Sequence, residues 1–334
     1  MPKTRPSAQP SLITRLFGSL LRPRKSQNVT EVSPPVLLPL PGFRRLQESL
    51  LEEAFNTALN YPLPATVLYL AYGSNLCHET FQGRRKIRPL SAVNVVVPEL
   101  ELVFDLPGLP YLEPCFANSV RKGTVNAPHP NLESSPYEED GRKELMSLLP
   151  SRNESNALIG VVYEVTAADY ARIIATERPT YTDVVVTCDP LPTPQTSSVG
   201  KSLTENFKAH TLLAPESDLR PPRRASPPQP SLRYLTLCRN GAAEHSLPES
   251  WQSYLNHLQH YEATLIRQKI GRFVFIATWA PSVLLSFGIS RLLGDKKGNA
   301  PKWVKSLTNL VFKAMWRSYD YFFIHVFGNG ERIE

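Results

Sequence analysis

Five segments between residues 66 and 215 are packed with β-branched and aromatic side chains, the residues that fit a pleated, half-buried surface. They are TVLYLAYG (66–73), NVVVPELELVFDL (94–106), ALIGVVYEV (157–165), YTDVVVTCD (181–189) and KAHTLLAP (208–215). Each is predicted to form one strand. Between the third and fourth, TAADYARIIATE (166–177) has helical spacing, with Thr166 as N-cap and Tyr170, Ile173 and Ile174 able to share a face. Two more helices flank the strands. RRLQESLLEEAFNTALN (44–60) aligns Leu46, Leu50, Leu51, Phe55 and Leu59. SLPESWQSYLNHLQHYEATLIRQKI (246–270) carries Ser246 as its cap and Pro248 in its first turn. Strands that predominate over a few helices predict an α+β fold.

The 32 prolines lie largely outside these elements, as residues without an amide donor should. They mark a basic, proline-rich leader (1–43) and two loop insertions (122–155 and 214–231). The chain then divides into the leader, a helix and linker (44–64), a core domain (65–262) and a hydrophobic tail (263–334). A net charge of +7 admits nucleic acid or an anionic membrane as partner. No zinc-finger, helix-turn-helix or RNA-binding signature accompanies it, so no nucleic-acid partner is expected. Cys77, Cys115, Cys188 and Cys238 lack metal-type spacing and are expected as free thiols in a reducing compartment. His257 and His260 have no third ligand beside them, and neither metal nor cofactor is expected. The Asn28 and Asn153 sequons carry no weight without a secretory signal.

FVFIATWAPSVLLSFGIS (273–290) is charge-free between Arg272 and Arg291, and at 1.5 Å per residue it just reaches across a ~30 Å hydrocarbon core. In the following segment, lysines and arginines interleave with Trp303, Trp316, Tyr319, Tyr321, Phe322 and Phe323. Three arrangements are open over 273–325: a membrane-crossing or re-entrant segment, a helix lying in the interface, and a buried helical hairpin. The lysines at 296, 297, 302 and 305 favour a cytosolic C-terminal flank if the segment spans.

The first strand ends in Tyr72-Gly73-Ser74-Asn75. Leu68, Leu70 and Tyr72 are expected on one face, with Tyr69 and Ala71 on the other, and Gly73 in a dihedral closed to other residues. Successive amides of such a turn converge on an anion or a developing oxyanion. An ordinary tight turn has the same local sequence. Ser74 as a nucleophile is disfavoured, since Gly-x-Ser-x-Gly is absent and no His/Asp pair stands out to activate it.

YLAYGSNL resembles the N-terminal signature of the gamma-glutamylcyclotransferase family. GVVYEVTAADYARIIATE is similar to its strand-helix segment ending in the catalytic glutamate, which falls on Glu177. Tyr181 with DVVVTC, and PSLRYLTLCRNGAAEHSLPESWQSYLNHLQ, resemble its later blocks, the last carrying the substrate-contacting Tyr234. The resemblance implies a small mixed β-barrel with flanking helices; the helical, membrane-associated tail expected over 263–334 lies outside the family's compact form. It implies a cyclotransferase that releases 5-oxoproline from a small gamma-glutamyl compound without cofactor. Glu177 would be the acid–base residue, and Tyr69, Leu70, Ala71, Tyr72, Gly73, Ser74, Asn75 and Tyr234 the substrate contacts. The tail and insertions resemble filamentous-fungal members, some of which act on glutathione-derived metabolites. Arg178-Pro179 after the glutamate departs from the small residues of many relatives. The enzyme is expected in the cytoplasm or at the cytoplasmic face of a membrane. A catalytically silent, membrane-tethered binding module of the same fold is the alternative.

Overall fold

A computed structural model describes residues 38–52, 64–122, 157–176, 181–192, 205–214, 228–293 and 301–329. Its strands are β1 (Thr66–Ala71), β2 (Ser91–Val97), β3 (Leu100–Leu109), β4 (Glu113–Arg121), β5 (Leu158–Thr166), β6 (Thr182–Pro190) and β7 (Phe207–Leu213). Five close into a barrel in the order β1–β5–β2–β6–β7, while β3 and β4 pair as a separate ribbon. An odd number of strands cannot alternate direction all the way round, so one junction has to be parallel. That junction is β1 with β7, where Tyr69 stands opposite His210. The other four are antiparallel. The expected small mixed barrel is therefore present.

The helices are α1 (Phe43–Ser49), α2 (Ala167–Thr176), α3 (Leu232–Glu244), α4 (Glu249–His257), α5 (Ile266–Leu292), α6 (Lys302–Ser318) and α7 (Ile324–Phe327). The Asp169 amide donates to Thr166 Oγ1 at 3.1 Å, the cap expected for α2. Both faces of β1 are buried, one set of side chains toward the barrel core and the other under covering elements, so its alternation carries no polar face.

Three expectations change. The 94–106 segment is two strands, broken at Pro98-Glu99, because proline has no amide to give a ladder. Its partner β4 carries Pro114, Asn118 and Ser119, which hide the strand pattern in sequence. The 246–270 helix is interrupted after α4, where the Tyr261 amide donates to Pro230 O at 2.8 Å and leaves the helical path. Ser246 does not cap α4. It sits at φ 49°, and Pro248 holds the N-cap position. Residues 53–60 of the first predicted helix lie outside the described residues.

The tail is a helical hairpin. Trp279 Nε1 donates to Ser318 Oγ at 2.9 Å, and Phe287 meets Phe312 at 6.3 Å between ring centroids, which sets α5 and α6 antiparallel. The ribbon tip inserts against this pair. Tyr111 packs on Phe275 and Tyr319, and its hydroxyl donates to Gly328 O at 2.7 Å. Trp316 Nε1 reaches Gly108 O at 3.3 Å. α5 is long and apolar enough to cross a membrane by length and composition.

A buried ionic cluster fixes the parallel seam. His210 Nδ1 lies 3.0 Å from Asp183 Oδ2 and its Nε2 3.3 Å from Glu52 Oε2, while Arg45 holds the other Glu52 oxygen at 2.8 Å. The Tyr170 hydroxyl donates to Asp183, and its ring touches both His210 and Tyr69. Burial alone would push the imidazole down, but hydrogen bonds to Asp183 and Glu52, with their charges, overcome this and raise its pKa. The stabilisation from charged His210 is thus complete below about pH 6.5, its unfolded value, and is lost as pH rises through the raised folded value. His210→Gln should cost about 3 kcal/mol at the acidic end. In thermal unfolding across pH, the gap from the parent chain should narrow as pH rises.

Candidate active site

β1 ends at Ala71 and the chain turns through Ser74–Leu76 in a single 3₁₀ turn, with Leu76 N donating to Gly73 O at 3.0 Å. Tyr72, Gly73 and Ser74 are half-exposed, while Asn75 and Leu76 are buried. Asn75 Nδ2 donates to the Tyr69 hydroxyl at 2.9 Å, which ties the turn back to its own strand. The first amides of a helical turn have no acceptor within it.

Gly73 is glycine for a different reason from the one expected. Its φ of −110° is open to other residues. A side chain there would instead meet the Tyr234 hydroxyl at 3.0 Å and Ala117 Cβ at 3.2 Å. The turn is pressed against α3 and β4, and a side chain there would push these neighbours back by a few tenths of an ångström.

One face of α3 supplies most of that grip. Ser231 caps the helix by accepting from the Tyr234 amide at 3.1 Å, which sets the tyrosine in the first turn. Its hydroxyl accepts the Ala117 amide at 3.2 Å, and the Ser74 amide also hydrogen-bonds it. Burial pushes this phenol well above its ordinary pKa, so it stays neutral. Two turns on, Gly241 lets the helix touch the chain: a Cβ there would lie 2.4 Å from Leu76 Cβ and 2.6 Å from Cys77 N. One turn further, Glu244 Oε2 accepts the His78 amide at 2.7 Å. Behind the turn, the Tyr163 hydroxyl lies 2.6 Å from His245 Nε2. Burial holds that imidazole down at about 4, so it is neutral and rigidly paired.

The structure thus brings Tyr234 onto Gly73 and Ser74, as one constellation. The Tyr69, Leu70 and Ala71 side chains are buried, so Tyr72, Gly73 and Ser74 present the accessible groups among the residues expected to bind. Glu177 lies outside the described residues, directly after the last residue of α2. Sequence reading missed Ala117, Gly241, Glu244, Tyr163 and His245. The spacing Tyr234, Gly241, Glu244 was the available signal, since steps of seven and three share a helix face. The four cysteines are free, as expected.

Apart from the Glu244 carboxylate, which already accepts the His78 amide, the groups around this short, reachable turn are backbone amides and neutral side chains, an arrangement that can hold an anionic or carbonyl oxygen. Tyr234→Phe should cost about 1 kcal/mol in chemical denaturation through the lost hydrogen bonds. Gly241→Ala should lower stability by about 1–3 kcal/mol, read as a fall in thermal midpoint. The stronger effect of the added methyl follows from its contact with backbone, which cannot rotate away.

Several known proteins are similar to this chain. A family model described as the AclK C-terminal domain matches residues 266–326. The chain is similar to gamma-glutamyl cyclotransferase aclK of Aspergillus oryzae, 27% identical over 275 residues that cover 80% of this chain and 90% of the relative. It is 26% identical to gamma-glutamyl cyclotransferase gliK of Aspergillus fumigatus, covering 79% and 89%. A solved gamma-glutamyl cyclotransferase structure is similar over 60% of this chain and 92% of its own, at 16% identity and a TM-score of 0.39.

Proposed function

With fungal gamma-glutamyl cyclotransferases as its homologues, we propose that the chain is an enzyme of that class. It would release 5-oxoproline and a free amine or amino acid from a small gamma-glutamyl compound. The observation that carries this reading is the half-exposed Tyr72–Ser74 turn, clamped against a neutral Tyr234 hydroxyl.

The substrate's α-ammonium first gives a proton to Glu177. The freed nitrogen attacks the γ-carbonyl carbon of the same molecule, and the carbonyl oxygen becomes an oxyanion. When the amide C–N bond breaks, Glu177 returns that proton to the leaving nitrogen. It then takes the second proton of the attacking nitrogen and passes it to the freed amine, so the ring nitrogen keeps one proton and no water or electron acceptor is consumed. Amides of the turn meet the oxyanion and the substrate carboxylate, where preorganised donors act most strongly. Tyr234, expected from the resemblance to contact substrate, acts here by orienting the turn through its buried hydroxyl. The 69–75 run forms the rest of the binding surface, with Tyr69, Leu70 and Ala71 acting through backbone.

The tail, on the same reading, holds the enzyme at the cytoplasmic face of a membrane. Its support is α5, where only 17% of the most apolar window is buried, unlike the core helix of a soluble domain.

The test is 5-oxoproline release from gamma-glutamyl dipeptides by the full-length chain. Glu177→Gln should lower the rate by about 10²–10⁴, the usual contribution of a general acid–base group. An undiminished rate would remove Glu177 from the mechanism. Failure of the parent chain on every gamma-glutamyl amide would overturn the enzyme reading.

A further inference from the structure

The tail's two helices present to solvent a surface that a soluble protein rarely keeps. At about 100° per residue, Ile266, Ile270, Phe273, Ala277, Pro281 and Leu284 fall on one stripe of α5, and all are exposed. Phe273 is 74% exposed and Ile266 77%. Cations border the stripe, with Lys269 and Arg272 toward one edge and Arg267 toward the other. The opposite side of the helix, through Gln268, Gly271, Phe275, Val283 and Ser286, is buried.

Charge points the same way. Residues 266–293 and 301–329 hold eight basic residues and one acidic one, Asp320. Their net +7 equals the excess of the whole chain, so every other residue together balances to zero. An apolar stripe bordered by cations is matched by lipid with an anionic headgroup layer.

The pairing of the helices decides how they meet it. Contacts of Trp279 with Ser318 and Phe287 with Phe312 bring Lys313 and Arg317 alongside the middle of the charge-free run of α5. Both cations are exposed. If α5 crossed a bilayer, α6 would go with it and carry both cations to hydrocarbon depth, where charge is strongly disfavoured. The ribbon tip would follow, since Tyr111 packs on Phe275 and Tyr319 and its hydroxyl is bonded to Gly328 O. Backbone groups of the ribbon that rely on water would then have no partner in hydrocarbon.

We propose that the α5–α6 pair lies flat on an anionic bilayer surface, with the Ile266–Leu284 stripe sunk into the interface, and does not span. This rests on the membrane reading of the tail and adds its orientation and lipid class. The probe is flotation of the full-length chain with vesicles of phosphatidylcholine alone or doped with phosphatidylserine. Binding should be about tenfold greater on the doped vesicles. It should fall in about 1 M salt, where the Debye length shrinks to about 3 Å. Alkaline carbonate should release the bound protein. Lys313→Glu with Arg317→Glu should reduce binding to the phosphatidylcholine level, and Phe273→Ser with Leu285→Ser should weaken it on both vesicles. All four are exposed positions. Equal, carbonate-resistant binding to both vesicles would overturn the flat orientation and leave a membrane tail standing. No flotation with either, with self-association in light scattering, would overturn both and assign the stripe to a second copy.

Discussion

The approach of α3 to the turn after β1 is the contact on which the rest of the site depends. Two absent side chains make it possible, at Gly73 and Gly241, and each faces atoms of the other element. Tyr234 and Glu244 then satisfy amides that this closeness would otherwise bury without partners. The turn is consequently held by hydrogen bonds to side chains from outside it, with Asn75 tying it from within. A binding loop held this way keeps its donors aimed before any ligand arrives, which is where electrostatic stabilisation gains most.

The barrel strands were legible because a strand buried on both faces is a run of apolar residues, and GVVYEV or DVVVTC can be little else. The ribbon was not legible. Pro98 sits inside a hydrophobic run and looks like an interruption, when it is the corner between two strands. β4 is buried nearly throughout, yet its Asn118 and Ser119 give it the look of a loop. Tyr234 was singled out through its neighbours in sequence, whereas Ala117 was not, because what it offers the turn is a backbone amide and any residue type has one. The buried cluster of Glu52, Asp183 and His210 joins residues from three distant segments, a relation that no local pattern carries.

The tail obeys a different balance from the barrel. Its inner side is built like a core, with Phe275, Met315, Tyr319 and Phe323 around Tyr111. Its outer side keeps Leu285 and Tyr321 at 65% and 81% exposure. Burying one large apolar side chain is worth about 1.5–3 kcal/mol, so a row of them outside any core is a large driving force for association. Placing a cation at mid-bilayer costs about 2.5–3.5 kcal/mol on insertion scales, and α6 carries two alongside α5.

The β3–β4 ribbon joins these two regions. Midway along β4, Ala117 closes on the turn and Tyr234, and at the ribbon tip Tyr111 is locked into the tail. From Glu113, beside the tip, to Ala117 the strand runs about 13 Å at its usual rise. A strut of that length sets a standing height for the barrel above whatever surface the tail rests on. With the tail laid on a bilayer as proposed, the ribbon would hold the turn off that surface, and the substrate would come from solution rather than from lipid.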